Sequence, residues 1–123
     1  SEFPMINGQH WGRPYRYSYN ARCAQGLFAF DGLIKHDVVA GTEELWEAPE
    51  GTFLSETVVA PKLGSTAEDD AYLLTFSSDI HNDMSHCEIF EASDPASGPI
   101  ARVKLPERIC SGTHATWAAS DQL

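Results

Sequence analysis

The chain has 123 residues, of which 42% are hydrophobic and 11% aromatic; this composition can form one modest core and is not that of a disordered protein. A formal net charge of −10 argues against nucleic acid as a partner, because binding to the phosphate backbone depends on basic side chains. We expect no transmembrane segment, since a spanning helix needs about 18 or more consecutive apolar residues. The three cysteines include no C-x-x-C pair and favour a reducing, cytoplasmic setting.

Short β-strands are predicted along the whole chain. Residues 1–13, rich in Pro, Gly, Asn and Gln, predict an extended entry segment. Tyr15, Tyr17 and Tyr19 alternate with polar residues, which is typical of a half-buried strand. Runs of β-branched and aromatic residues predict six more strands, at residues 32–39, 42–48, 57–61, 71–77, 86–92 and 100–105. Seven short strands without a convincing amphipathic helix predict an all-β fold.

The connectors between these strands predict antiparallel meanders. Ala40-Gly41-Thr42 is short enough for a tight hairpin, and residues 93–99 form a turn-rich joint before the last strand. Sheets of about four strands in meander order are typical of propeller blades. The last four predicted strands make one such blade, and the first three make most of another. Composition and periodicity alone would equally allow a sandwich or a barrel.

One histidine near the C-terminus is a candidate metal ligand. His114 lies in residues 106–117, called the closing segment below, which follow the last predicted strand. Its small neighbours Gly112 and Ala115 leave room for a large group beside the imidazole, and a neutral imidazole is the commonest metal ligand in proteins. Taken alone, however, a single histidine near an aromatic residue such as Trp117 is more often a packed or surface side chain.

Seven segments, taken in order, resemble one known family. They are Glu2-Phe3-Pro4, residues 12–17, 35–37, 55–61, 67–74 and 98–106, and the closing segment. In this order and spacing they resemble the C-terminal part of the carotenoid cleavage oxygenases, which include lignostilbene dioxygenases and the retinal pigment epithelium isomerase. The resemblance implies that residues 1–123 are the C-terminal fragment of a seven-bladed β-propeller, about two blades plus the closing segment. The remaining N-terminal blades would then cover the open faces and edges of these two.

The resemblance also implies a metal site. The family holds a non-haem Fe(II) with four histidines, three of which are oriented by glutamates that accept the other ring N–H. His114 matches the fourth ligand, in the family's G-F-H-G segment, and Glu2 and Glu56 match two of the glutamates. A carboxylate on the distal ring nitrogen fixes the tautomer and the orientation of a ligating histidine. Without the resemblance, Glu56 would be interpreted as an exposed carboxylate at a strand end.

Three departures from the family pattern concern the shape of the substrate site more than metal binding. Thr57 replaces the proline after the second glutamate, Thr113 replaces the phenylalanine before the ligand histidine, and Ala115 replaces the glycine after it. A hydroxyl group stands where the family has an apolar side chain in the first two cases. We therefore expect the wall near the iron to be more polar than in the family.

The other histidines and the longest acidic run receive structural interpretations. His81 and His86 flank a polar hairpin connection and are expected to be exposed to solvent. His10 and His36 match no ligand position of the family. Glu68-Asp69-Asp70 is expected to be a structural turn, because a calcium site needs about six to eight oxygens at interleaved spacing.

The function that these observations predict is oxidative cleavage. We expect the C-terminal part of an Fe(II)-dependent dioxygenase that splits a conjugated C=C bond of an apolar carotenoid, apocarotenoid or stilbene with O2 into two carbonyl products. The isolated chain is expected to be inactive. The alternative is a noncatalytic module that keeps the propeller scaffold for binding or structure, since a fold does not guarantee its chemistry. If the sequence upstream supplies three further histidines and a third glutamate, the dioxygenase is favoured over the noncatalytic module.

Overall fold

The computed structural model describes residues 1–120, which form nine β-strands and two short 3₁₀ turns. The strands are β1 (Glu2–Met5), β2 (Tyr17–Cys23), β3 (Phe30–Asp37), β4 (Thr42–Glu47), β5 (Thr52–Leu54), β6 (Val58–Pro61), β7 (Ala71–Asp79), β8 (Met84–Glu91) and β9 (Ala101–Lys104). The 3₁₀ turns are Gly8–His10 and Pro95–Ser97. No helical segment within residues 1–120 has the length and apolar character needed to cross a membrane.

The strands form two antiparallel meanders of four strands each. In the first blade, β1, β2, β3 and β4 pair in sequence order, and in the second blade β6, β7, β8 and β9 do the same. β5 pairs with both β3 and β7, so the two blades belong to one continuous sheet. The prediction of an all-β fold built from blades is confirmed, and the second blade contains the four strands assigned to it from the sequence.

Strand β7 shows why these residues form a sheet. Ala71, Leu73 and Thr75 are buried, and they alternate with Tyr72 and Phe76, which are exposed. This period of two matches the pleat of a strand and directs one face into the core. The core comprises Tyr19, Ala21, Phe30, Leu33, Leu54, Val59, Ala71, Leu73, Phe90 and Ala92. Large apolar side chains on the opposite face stay exposed, as expected for blades that bury their faces against neighbours.

A buried lysine joins the two blades. Lys35 on β3 is 4% exposed, and its ammonium group donates to the Asp69 carboxylate at 3.1 Å and to the Ser93 carbonyl at 2.8 Å. It also lies 4.4 Å from the centre of the Tyr17 ring. Asp69 precedes β7 and Ser93 follows β8. The charge from the first blade is therefore paired and hydrogen-bonded by the second, as a buried charge requires.

The acidic run between β6 and β7 has the structural role predicted for Glu68-Asp69-Asp70. The Glu68 carboxylate accepts hydrogen bonds from the backbone N–H groups of Arg16 and Tyr17, at 2.8 and 2.7 Å. The side-chain amide of Asn7 donates to the Glu68 carbonyl at 2.9 Å. This turn therefore ties the entry segment and the start of β2 to the second blade.

Some element boundaries differ from the prediction. The strand expected at residues 15–19 begins at Tyr17 and continues to residue 23. β3 ends at Asp37, because its carboxylate accepts two backbone N–H groups of the following turn, and Gly41 completes that turn at a φ of +69°. The Arg16 guanidinium, hydrogen-bonded to Asp37, lowers the pKa of that carboxyl to about 2. β1 lies in the segment predicted only as extended, and β5 lies between predicted strands.

Candidate metal centre

A β-bulge at the edge of the second blade presents Glu56. β5 and β6 lie end to end along β7, with Ser55, Glu56 and Thr57 between them. Only two residues of β7, Thr75 and Phe76, lie opposite these three. The Ser55 N–H donates to the Phe76 carbonyl at 2.8 Å, and the Thr75 hydroxyl donates to the Ser55 carbonyl at 3.0 Å. Bulges re-aim side chains at functional sites, and this one turns Glu56 toward the closing segment.

The Glu56 carboxylate contacts the closing segment. Glu56 is 7% exposed, and its Oε2 accepts a hydrogen bond from the backbone N–H of Ala115. Nδ1 of His114 lies 3.5 Å from the same oxygen. The imidazole is 75% exposed, and its Nε2 makes no hydrogen bond to the described part of the chain. The carboxylate therefore faces one ring nitrogen and leaves the other free to act as a ligand.

Phe3 packs against the imidazole from the first blade. The centre of its ring lies 5.4 Å from that of His114, at an interplanar angle of 79°, and 5.1 Å from that of Phe30 in the core. Phe3 has a φ of +53°, in the left-handed region that bulky residues rarely adopt. Phe3 and the following proline lie opposite a single residue of β2, so this strand is bulged as well. Sequence reasoning misses Phe3, whose only signal is its position directly after Glu2.

Glu2 forms no hydrogen bond or ion pair with Glu56 or His114 in the described chain. It is exposed at the start of β1, where it pairs with Ala21 of β2. Its carboxylate makes no hydrogen bond or ion pair within residues 1–120. The structure thus brings together two of the three residues predicted for the site, and it leaves the third with a carboxylate that is free in the described part of the chain.

The described part of the chain holds no complete set of metal ligands of its own. Within residues 1–120, no three His, Cys, Asp or Glu side chains are grouped so that they could hold a metal ion. A neutral imidazole suits iron as well as zinc or copper, and a ligating histidine usually has a carboxylate or carbonyl on its other nitrogen. His114 and Glu56 therefore fit one ligand of an iron site and the carboxylate behind it.

The remaining histidines lie away from this pair. His81 is exposed, as predicted. The prediction of exposure is wrong for His86, which is half-buried, because β8 begins before it and the hairpin connection is shorter than expected. Nδ1 of His10 and of His36 lies 3.9 Å and 3.4 Å, respectively, from a glutamate carboxylate. None of these four histidines forms a hydrogen bond, ion pair or ring contact with Glu56 or His114 in the described chain.

The three departures from the family pattern have different surroundings. Thr57 is 1% exposed, and its hydroxyl has no hydrogen-bond partner among residues 1–120. Thr113 is exposed, whereas Ala115 is half-buried and donates its N–H to Glu56. Of the three, only Thr57 places a polar group in the interior beside Glu56.

An open groove adjoins the segments that carry Phe3 and His114. Its volume is about 630 Å³. Its lining includes Met5, two residues after Phe3, and Trp117, three residues after His114. The other large apolar residues that line it are Ile6, Trp11, Val59, Pro61 and Leu63. The candidate ligand is therefore followed directly along the chain by a groove of mixed polarity, whose polar lining includes Gln9 and Lys62.

Comparison with solved structures defines the class of this fold. The chain superposes on a variant of Synechocystis apocarotenoid oxygenase with a TM-score of 0.89 and 32% identity, over 97% of this chain and 25% of that one. A cobalt-substituted form of that oxygenase gives 0.89 and 33% over the same shares. Pseudomonas brassicacearum lignostilbene dioxygenase gives 0.88 at 23% identity, over 95% and 27%, which shows the fold alone. The structure is thus part of a carotenoid-oxygenase β-propeller.

Sequence comparison then assigns the family. The chain is 38% identical to apocarotenoid-15,15'-oxygenase from Synechocystis sp., over 95% of its length and 24% of the relative's. It is 32% identical to carotenoid 9,10(9',10')-cleavage dioxygenase 1 from Pisum sativum, over 99% and 25%. The family model described as retinal pigment epithelial membrane protein matches residues 1–119, and the chain belongs to this family, the carotenoid cleavage oxygenases. It spans about a quarter of the length of these relatives.

Proposed function

We propose that the complete protein is an Fe(II)-dependent dioxygenase that cleaves a conjugated C=C bond of an apolar substrate with O2 and releases two carbonyl products. Membership of the family supports oxidative cleavage. The names of the relatives found by sequence, which include a lignostilbene dioxygenase from Sphingomonas paucimobilis, support a carotenoid, an apocarotenoid or a stilbene as the substrate. Because this chain spans about a quarter of those relatives, the remaining blades, which we place N-terminal to it, are partners in the site.

The observation that carries this proposal is the pairing of His114 with Glu56. Nδ1 of His114 lies 3.5 Å from a carboxylate that is 7% exposed, on a residue that a bulge turns toward it. A buried glutamate needs a partner, and an imidazole that keeps its proton on Nδ1 leaves Nε2 unprotonated. That tautomer binds a metal through Nε2.

Four residues of this chain have separate roles in the proposed site. Nε2 of His114 holds the iron together with three histidines from the remaining blades. Glu56 keeps the proton on Nδ1, and Phe3 limits rotation of the imidazole by ring contact. Glu2 orients one of the other histidines in the manner of Glu56.

In the proposed site, the metal supplies the oxygen chemistry, and the protein positions the metal and the substrate. The chemistry that iron supplies when bound is activation of O2. The cobalt-substituted form of the Synechocystis relative supports a metal centre in this fold. The large apolar side chains in the groove beside the closing segment support an apolar substrate, because a conjugated chain gains free energy by leaving water.

Replacement of His114 in the complete protein tests the proposal. His114→Ala should abolish iron retention and cleavage of apocarotenoid and stilbene substrates, while the far-UV circular dichroism stays unchanged, because the imidazole is 75% exposed. His81→Ala is the matched control, since this histidine is exposed and lies away from Glu56, and it should keep both properties. Wild-type iron content in His114→Ala would remove His114 from the site. A wild-type protein without iron or cleavage would favour the noncatalytic module.

A further inference from the structure

The closing segment carries His114 without regular secondary structure. Residues 106–117 follow β9 and contain no strand or helix. An imidazole on such a segment needs fixed points on both sides, because metal affinity depends on holding the ligand in one geometry. One fixed point is Ala115, whose N–H donates to the Glu56 carboxylate. The other lies on the N-terminal side of the imidazole, at Ile109.

Two serines of the second blade hold the backbone of Ile109. Ser78 on β7 and Ser85 on β8 are cross-strand neighbours, and their hydroxyl oxygens lie 3.3 Å apart. The Ile109 N–H donates to Ser85 Oγ at 3.1 Å, and Ser78 Oγ donates to the Ile109 carbonyl at 3.3 Å. Ser85 is 1% exposed, so the centre of this group is shielded from water.

The three hydrogen bonds that connect Ser78, Ser85 and the Ile109 backbone form a closed ring. Because the Ser78 hydroxyl donates to the carbonyl of Ile109, its oxygen accepts the Ser85 hydroxyl proton. The Ser85 oxygen in turn accepts the Ile109 N–H. Each hydroxyl both donates and accepts, and connected hydrogen bonds of this kind polarise and strengthen one another. Ser78, Ser85 and the Ile109 backbone are called the serine clamp below.

We propose that the serine clamp positions His114 in the metal site. The clamp fixes the chain five residues before the imidazole, and the Glu56 contact fixes the residue directly after it. Without the clamp, the chain between β9 and His114 keeps the ion pair of Arg108 with Asp83, at 3.2 Å, but loses both hydrogen bonds that hold its backbone at Ile109. The metal site then loses affinity while both blades stay folded. This proposal rests on the proposed role of His114 as a ligand.

An isosteric pair of variants in the complete protein separates the hydroxyl from the volume of the side chain. Ser78 is half-buried on a strand, where β-branched residues fit well. Ser78→Thr keeps the hydroxyl, and Ser78→Val has nearly the same shape without it. Ser85→Ala removes the hydroxyl at the centre of the clamp. Ser77→Ala is the matched control, because this buried serine of β7 donates to Glu88 rather than to the closing segment.

Three measurements report on the position of His114. They are the Co(II) dissociation constant, the visible absorption spectrum of bound cobalt, which reports coordination geometry, and amide hydrogen exchange in the closing segment. We expect Ser85→Ala and Ser78→Val to weaken Co(II) binding about tenfold, in line with the loss of a supporting contact behind a metal ligand. The same variants should alter the cobalt spectrum and speed exchange at Ile109 and Ala115. Ser78→Thr and Ser77→Ala should match the wild type.

The outcomes separate this proposal from the proposed function. Faster exchange with an unchanged Co(II) affinity and spectrum would overturn the positioning role, because the clamp would then order the segment without placing the ligand. Unchanged exchange in Ser85→Ala would overturn it by showing that the clamp does not hold the segment. Wild-type Co(II) binding in His114→Ala would remove the metal role of His114 itself, and both proposals would then fail together.

Discussion

Glu2 and Glu56 occupy similar places in the two blades but have different surroundings. Each lies on the edge strand of its blade beside a bulge, in β1 and at the junction of β5 and β6. Glu56 is 7% exposed and faces His114, whereas Glu2 is exposed and has a free carboxylate within residues 1–120. The closing segment makes the difference, because it lies against Glu56. Glu56 thus faces an imidazole of this chain, and under the proposed function the imidazole that faces Glu2 comes from another part of the protein.

The residue after each glutamate carries an energetic cost. Phe3 has a left-handed backbone, and Thr57 buries a hydroxyl that has no partner in the described chain. A strained backbone of this kind costs on the order of 1–3 kcal/mol, and an unsatisfied buried polar group about 1–3 kcal/mol. Local costs of this size are typical of functional sites, where the surrounding structure maintains them.

The largest effect should come from removing the rest of the protein, which leaves both glutamates without a complete site. The isolated 123-residue chain should bind no Fe(II) tightly, because one histidine with a carboxylate behind it cannot hold the ion. Anaerobic calorimetric titration with Fe(II) measures this. Stoichiometric binding with a Kd below about 1 µM, or −8 kcal/mol, would show that the chain builds a site of its own.

Glu56→Gln in the complete protein should lower iron affinity or activity about 10- to 100-fold. The amide oxygen can still accept the Ala115 N–H, so the closing segment should stay in place, but the negative charge that faces Nδ1 of His114 is lost. Excess Fe(II) should therefore restore part of the activity. The measurement is turnover as a function of added Fe(II), for the wild type and for Glu56→Gln. Superimposable curves would show that Glu56 has a purely structural role.

Glu2→Gln should have a smaller effect, about tenfold on iron affinity, at the lower end of the range for such carboxylates. Within residues 1–120, Glu2 accepts no backbone N–H comparable to that of Ala115, so under the proposed function its replacement affects one histidine and no segment of this chain. Metal titration of the complete protein, with Glu56→Gln in parallel, gives the comparison. A change in iron affinity of less than about twofold, the size expected for a surface carboxylate, would show that Glu2 does not have the role proposed for Glu56.

Thr57→Val should raise the free energy of unfolding of the complete protein by about 1 kcal/mol, because it removes a buried hydroxyl that has no partner in residues 1–120. Thr75→Val is the matched control. Its hydroxyl is buried and donates to the Ser55 carbonyl, so its loss should lower the stability by about 1 kcal/mol. Denaturant unfolding measures both, and a less stable Thr57→Val would reveal a partner for this hydroxyl in the remaining blades.

The blades follow from the sequence where burial alternates with a clear period. β7 is such a case, with buried residues at 71, 73, 75 and 77. β5 is only three residues long and pairs with strands of both blades, so no local pattern marks it. The bulge at Glu56 is equally hidden, because a bulge is defined by the register against β7, and register depends on a partner that the local sequence does not contain.

The contact between Glu56 and His114 is foreseen only through the family resemblance. The two residues lie far apart in the chain, and the closing segment has no period that would predict its path. Phe3 and the serine clamp are missed for the same reason, since ring and hydroxyl contacts across the fold leave no trace in local composition. His86 is wrongly predicted to be exposed because its polar neighbours hide the early start of β8.

The buried Lys35 gives the joint between the blades a defined angle. Apolar faces can slide over one another at little cost, whereas an ammonium group held by Asp69 and Ser93 loses its hydrogen bonds when the blades rotate. In a propeller the angles at all the joints must add up to one full turn. An error at a single joint would either open the ring or be passed on to the other blades. Under the proposed function, histidines from separate blades can meet at one iron only if each joint keeps its angle. At this joint Lys35 acts together with β5, which pairs with both blades, and with the turn at Glu68.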